Sequence, residues 1–371
     1  LYVAGAVQPA LDGRHLVDRA TLIRLALDPE FQFGEAYCDG RLRVSGNLEQ
    51  LLGELFRAVA SRRTGHAEGL GLASLWRRRN RSSLSAARRN IARHYDIGNS
   101  FYRLWLDEQL VYTCAYFPRP DLTLEAAQVA KFHHVCRKLR LQPGERVLEA
   151  GCGWGTLALF MAREYGVTVR AYNISREQIA EARARARAEG LHTRVEFIEE
   201  DWRHISGKCH AFVSVGMLEH VGIENYRRFG EILQRVITPN GRGLLHFIGC
   251  NRPTRLGAWT EQRIFPGAQP PALSQFLPIL EPHGFSVLDV ENLRLHYALT
   301  LRHWRDRYER SAQAVRDMFD ERFERMWRLY LNASIAAFET GGLQLFQVLF
   351  APAACNELPW TRAHQYHPDD R

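Results

Sequence analysis

The sequence predicts an α/β fold: a mostly parallel sheet with helices on both faces, preceded by a small, mainly helical piece. Two observations carry this reading. From Glu145 onward, short apolar runs alternate with longer helical patterns, as strands joined by crossover helices do. Between the first run and the first helix lies a glycine-rich turn. A chain of 371 residues also suits one large domain plus a smaller one.

Taken in order, residues 1 to about 60 mix short helical patterns with Gly34 to Gly40, which reads as a turn-rich piece. A softer stretch, Ser61 to Gly71, precedes a basic run of Arg77, Arg78, Arg79, Arg81, Arg88, Arg89 and Arg93, and the domain boundary is placed there. Arg146 to Ala150 reads as a strand and Thr156 to Tyr165 as a helix. Val167 to Tyr172 is a strand, Arg176 to Glu189 an exposed alanine-rich helix, and Val195 to Ile198 a strand again. Ala211 to Val215, a helix near Asn225 to Val236, and a strand from Gly243 to Ile248 complete the alternation. No solenoid period is present.

Composition narrows the class. Hydrophobic residues are 46% and charged residues 24%, ordinary for a globular protein. The net charge of +8 favours negative partners: nucleic acid, anionic lipid or phosphate. Almost all of it is arginine; Lys131, Lys138 and Lys208 are the only lysines. The seven cysteines form no CxxC pair, so neither a disulfide framework nor a metal site is expected, and a reducing cytoplasm fits. No apolar run approaches the roughly 20 residues of a membrane span, and no signal peptide is read. Zinc-finger spacing and RNP motifs are lacking, which argues against nucleic acid.

The strongest local signal is Glu149-Ala150-Gly151-Cys152-Gly153-Trp154-Gly155, after a strand and before a helix. Glycines at alternate positions let the backbone turn tightly and approach a ligand. The spacing is neither Gly-x-G-x-x-Gly nor a Walker loop. It resembles the first motif of Rossmann-like methyltransferases, where the loop holds the amino-acid part of S-adenosylmethionine and the acidic residue orients the site. By that resemblance, Asn173, Ile174 and Gln178 stand where the ribose hydroxyls bind, with neutral Asn173 in place of the usual acid. Asp201 and Trp202 stand where adenine contacts lie. Trp202 either offers a purine its flat face or is a core aromatic.

Five further motifs narrow the resemblance: His94 to Asn99 with Phe101-Tyr102; Tyr112 to Phe117; Gly216 to Val221; Leu245 to Gly249; and Tyr330 to Ala333 with Gln344 to Val348. Together they are similar to cyclopropane-fatty-acid synthases and the related mycolic-acid methyltransferases. The resemblance implies a Rossmann-like class I methyltransferase with a mostly parallel seven-stranded sheet, plus a small, mainly helical N-terminal domain. It divides the chain into a lipid-binding-like domain at 1–75, a basic linker at 76–93 and the catalytic domain at 94–371. It further implies a homodimer on the cytoplasmic face of a phospholipid membrane. The arginines of the linker would add attraction of about 1 kcal/mol each near an anionic surface, or are simply a solvated helix face.

In this family an alkene attacks the sulfonium methyl, a carbocation forms, and a proton leaves the transferred methyl as a ring closes. The base is thought to be bound bicarbonate. Carried over by motif, its cage is Cys114, Glu219, His246, the Ile248 backbone and Tyr297, while Tyr112 and Thr113 help enclose the cofactor. Histidine, tyrosine and a backbone amide can donate to an anion, and a carboxylate can accept its proton. Tyr116 and Phe117 are candidates for the acyl site. Plainer readings stand beside these: Cys114 as a small buried hydrophobe, Glu219-His220 as a helix cap, His246 as a satisfied core histidine. The alternatives for the whole chain are methyl transfer to the alkene, giving a methyl or methylene branch, and a non-catalytic binding protein with a degenerate core.

Overall fold

The computed structural model describes residues 19–62 and 97–366. The basic run from Arg77 to Arg93, the linker at 76–93 and His94 to Asp96 lie outside the described residues.

A seven-stranded sheet forms the centre, in the order β3-β2-β1-β4-β5-β7-β6. Its strands are β1 (Arg146–Ala150), β2 (Thr168–Asn173), β3 (Val195–Glu199), β4 (Cys209–Val215), β5 (Ile237–Gly249), β6 (Phe285–Asn292) and β7 (Gln344–Pro352). The first five run parallel, and β7 is antiparallel to both β5 and β6. Strand order reverses between β1 and β4, which opens a crevice at the carboxyl ends of the strands.

Helices cover both faces. Leu124–Lys138, Thr156–Tyr165 and Arg176–Ala188 pack with the face that carries Val147, Val169, Val213 and Leu244. Tyr226–Val236 packs with Leu148, Phe212, Leu245 and Phe350 on the other. The alternation along each strand explains the choice of face. Central parallel strands read as nearly continuous apolar runs, which made β1 and β4 legible, while β2 and the edge strand β3 showed alternation instead.

Three differences from expectation have local causes. β5 starts at Ile237 rather than Gly243; the pairing with β4 shifts register between Cys209 and Ala211, and Pro239-Asn240-Gly241 looks like a turn in sequence. β6 buries only Phe285 fully and interrupts its apolar residues with Ser286, Asp289, Glu291 and Asn292, so it gave no run. The piece read as turn-rich is a helix, Pro29–Cys38, up to the turn at Asp39-Gly40. Asp28 caps it by accepting the Phe31 amide, and Pro29 opens it. Gly34 sits inside that helix because a Cβ there would lie 2.3 Å from the Trp259 ring.

The helical N-terminal region packs on the rest of the chain. Arg263 pairs with both oxygens of Glu35, at 2.9 and 2.6 Å, and Arg302 and Arg305 converge on Glu49. Arg325 donates to the Tyr37 and Leu42 carbonyls and lies 4.4 Å from the Tyr37 ring centre. Tyr37, Cys38 and Leu52 share one apolar cluster with Trp259, Trp327 and Leu329.

Candidate active site

The glycine loop turns sharply because Gly151, Gly153 and Gly155 all have positive φ, at 80°, 54° and 80°. The amides of Gly151 and Cys152 both donate to the Tyr172 carbonyl of β2, which ties the loop to its neighbour strand. Gly155 starts the helix Thr156–Tyr165, and a Cβ there would meet Phe197 Cζ at 2.4 Å. Replacing Gly155 by Ala therefore combines backbone strain with overpacking. We expect a loss of about 2–4 kcal/mol in denaturant unfolding. Gly153 differs: a Cβ at that position would touch nothing within 4 Å, so the loop's middle faces open space. Trp154 donates to Asn99 Oδ1 at 2.8 Å and meets Tyr102 edge-on, joining the loop to the first of the family-like motifs.

Glu149 lies under this loop on the face covered by the helix Leu124–Lys138. Burial pushes its carboxyl up to about 8, against the pull of the Lys131 ammonium, and its Oε2 has no partner among the described residues. Burial in turn lowers Lys131 to about 8, with Asp107 opposing the shift. Lys131 donates to Thr113 Oγ1 at 2.9 Å, and Gln128 holds the Thr113 carbonyl at 3.0 Å.

At the end of β2, Asn173 donates to Gln178 Oε1 at 2.7 Å and to the Gly153 carbonyl at 3.3 Å. Ile174 follows in the bend before Ser175, which caps the next helix. Asp201 is buried and both its oxygens receive Arg203 Nη1, at 2.9 and 3.0 Å. Trp202 lies between the Arg203 guanidinium, 4.6 Å from its ring, and the edge of Phe229.

After β4 the chain makes a single 3-10 turn, Leu218–His220. Glu219 does not cap it. Its Oε1 accepts the Ile248 amide of β5 at 2.5 Å, while Oε2 is buried without a partner among the described residues. Burial raises this carboxyl to about 7, with the Ile248 amide opposing. The amide expected to face an anion is thus held by Glu219 itself. His246 lies two residues before Ile248 on the same face of β5. Its Nδ1 receives Gln347 at 3.0 Å and its Nε2 is buried with no partner, so it is only half satisfied. Burial, reinforced by the Lys131 charge, lowers it to about 3, so the ring is neutral.

Cys114 is also buried; its thiol donates to the Ala115 carbonyl at 3.1 Å, while Thr300 Oγ1 accepts the Ala115 amide at 3.0 Å and donates to the His296 carbonyl at 2.7 Å. Burial pushes the thiol far up, so it stays protonated. Tyr297 lies one turn before Thr300 on Arg294–Arg310 and packs on Phe338 and Trp304. Tyr112 and Tyr330 share a hydroxyl hydrogen bond of 2.8 Å. Tyr112 is ringed by Tyr102, Trp105 and Trp304 at centroid distances of 5.3–5.4 Å. Tyr330 continues through Phe265 to His220, so the aromatic wall reaches the Glu219 turn. Half-buried Tyr116 stacks on His134 and His296, and buried Phe117 stacks on His303.

The family model for mycolic acid cyclopropane synthetase matches residues 82–348. The chain belongs to this family. It is 37% identical to a "Probable fatty acid methyltransferase" of Pseudomonas putida, over 95% of this chain and 91% of that protein. It is 40% identical to the cyclopropane-fatty-acyl-phospholipid synthase of Escherichia coli K12, over 71% of this chain and 68% of that protein. Among solved structures, mycolic acid cyclopropane synthase CmaA1 complexed with SAH and CTAB is 28% identical, with a TM-score of 0.68, covering 71% of this chain and 97% of that one. The chain is thus an enzyme of the methyltransferase class, built on a seven-stranded, mostly parallel sheet.

Several residues that hold the candidate side chains escaped sequence reading: Lys131, Gln128, Arg203, Thr300 and Gln347. Two of the three lysines, Lys131 and Lys138, fall seven apart on one helix, and both are buried. That rarity was the available signal.

Proposed function

We propose that the protein transfers a one-carbon unit from S-adenosylmethionine to the double bond of an unsaturated acyl chain in a membrane phospholipid, closing a cyclopropane ring. The observation that carries this is the pair of buried, unpartnered polar atoms, Glu219 Oε2 and His246 Nε2, at the carboxyl ends of β4 and β5. An acceptor and a neutral donor in an apolar site suit a small, protonated anion. The relatives' names support the rest: the Escherichia coli protein is a cyclopropane-fatty-acyl-phospholipid synthase.

The residues present fit the cofactor. Glu149 Oε2 is buried and unpartnered, and Gly153 leaves space beside the loop. Bound there, S-adenosylmethionine supplies an electrophilic methyl on a sulfonium. Gly151, Gly153 and Gly155 would hold its amino-acid part, Asn173 with Gln178 its ribose, and the Asp201-Trp202 turn its adenine. Bicarbonate, held at His246 and Glu219 beside Cys114 and Tyr297, supplies the base. Glu219, ionised, accepts the ion's own proton and so raises its basicity toward the substrate. The faces of Tyr112, Tyr330 and their neighbours stabilise positive charge developing on the acyl chain and exclude water.

We further propose peripheral action at the membrane, as a homodimer, with the N-terminal region serving lipid binding. No helix of the described residues is long and apolar enough to cross a membrane. The second reading, methyl transfer giving a branched chain, is favoured by the Pseudomonas putida relative's name and its longer match. Incubation of purified protein with S-adenosylmethionine and monounsaturated phospholipid vesicles, with NMR of the lipid product, separates the two. Ring protons support the first reading, branch-methyl or methylene signals replace it with the second, and an unchanged lipid refutes both.

A further inference from the structure

A row of polar side chains crosses the antiparallel edge of the sheet. His246 on β5 is paired in register with Gln347 on β7, and Gln347 with Glu291 on β6. All three therefore point to one face, the face covered by the helix Leu124–Lys138. From that helix Lys138, buried, donates to Gln347 Oε1 at 2.9 Å and to Glu291 Oε2 at 2.5 Å. His134, one turn earlier and fully buried, meets the same Glu291 oxygen at 2.7 Å. Gln347 Nε2 then meets His246 Nδ1 at 3.0 Å.

The chemistry of the donors fixes this row's direction. An ammonium has only hydrogens to give, so the Gln347 oxygen faces Lys138 and its NH2 faces the imidazole. An NH2 group donates, so Nδ1 accepts and carries no proton. The neutral ring then has its one N–H at Nε2, the atom buried without a partner among the described residues. A glutamine alone could rotate its amide by half a turn and reverse this order at little cost. The lysine removes that freedom. Burial lowers the lysine from its ordinary value and Glu291 opposes that shift; burial would likewise raise the carboxyl, but His134 and Lys138 pull it down to about 2.

We infer that Lys138 and Gln347 are positioning residues that lock His246 as its Nε2–H tautomer, so that the ring presents a donor and never an acceptor to the reaction site. This rests on the proposed activity for its use, but not for its geometry. A buried ionic row often adds no stability over apolar packing, whereas orienting partners of a working histidine set which ring nitrogen holds the proton.

The test is long-range proton–nitrogen NMR on protein labelled with 15N-histidine, with the His246 signals assigned by their loss in His246→Gln. The expected wild-type spectrum shows Nε2 protonated and Nδ1 bare. In Gln347→Glu the carboxylate accepts from both sides, so Nδ1 gains a proton. Turnover should then fall by about 10- to 100-fold while calorimetric binding of S-adenosylmethionine stays within about twofold. A wild-type ring protonated at Nδ1 overturns the inference without any variant, and so does a Gln347→Glu protein whose Nδ1 stays bare. The activity is separable: a wild type with the Nε2–H ring but no lipid product refutes the proposed function and leaves the tautomer lock standing.

Discussion

Replacing Glu219 by Gln is expected to cut turnover by about 10- to 10⁴-fold, the range of general acid–base groups, while leaving S-adenosylmethionine binding nearly intact. The side chain sits after β4 rather than in the glycine loop, so the cofactor's grip does not depend on it. Gln keeps an oxygen for the Ile248 amide but cannot take a proton. The pH dependence follows from burial, which raises this carboxyl to about 7. The role requires the ionised form, so wild-type activity should fall as pH drops through about 7. His246, lowered to about 3 by burial, adds no limb in that range. The variant should lack the limb. Steady-state rates across pH 5.5–8.5, an experimental window of roughly three units about neutrality, check both points. Wild-type-like turnover in Glu219→Gln would remove the carboxylate from the reaction.

The second large effect is at Glu149, where function and stability are expected to move in opposite directions. Burial raises its pKa from 4.5 to about 8. A carboxyl raised on folding binds its proton more tightly in the native state. The stability it lends is complete below about pH 4.5 and is lost as pH rises through about 8. Glu149→Gln is a neutral isostere and removes that loss. The variant should match the wild type well below pH 4.5, where Glu149 is protonated in both states, and exceed it at high pH by roughly 1–3 kcal/mol. The Lys131 ammonium moderates the gain, because it favours the ionised carboxyl and is itself lowered to about 8. Affinity for S-adenosylmethionine should meanwhile fall about 10- to 100-fold, the worth of one hydrogen bond to a charged group. Thermal melts at two pH values and calorimetry measure the two effects separately. A variant that melts lower than wild type at high pH would show that Glu149 is stabilising as an anion.

Much of this site was legible because its residues stand in ordered motifs. The glycine loop, Glu219 and His246 lie at the ends of strands whose apolar runs are unmistakable. Their supports were not legible. Lys131, His134 and Lys138 are spaced three, four and seven apart, which on a helix reads as a solvated stripe. Here that stripe faces the sheet, because Glu149, Gln347 and Glu291 offer it partners. For His134 and Lys138 those partners stand more than a hundred residues away along the chain. Arg203 is hidden for a different reason: it pairs with Asp201 only two residues away, where a surface arginine is the ordinary reading. The helix Pro29–Cys38 was misread since its Gly34 answers to Trp259, far along the chain, and not to a local turn.

The most direct measurement supplies the protein with S-adenosylmethionine bearing a fully deuterated methyl group, bicarbonate and cis-monounsaturated phospholipid vesicles, and counts the deuterium retained in each modified acyl chain. Removal of a hydron from the transferred carbon leaves two deuterons, and NMR should place them in a ring CD2 bridge, the result expected. A CD3 branch, a CD2 methylene group on an open chain, or a lipid that carries no label at all, would contradict it.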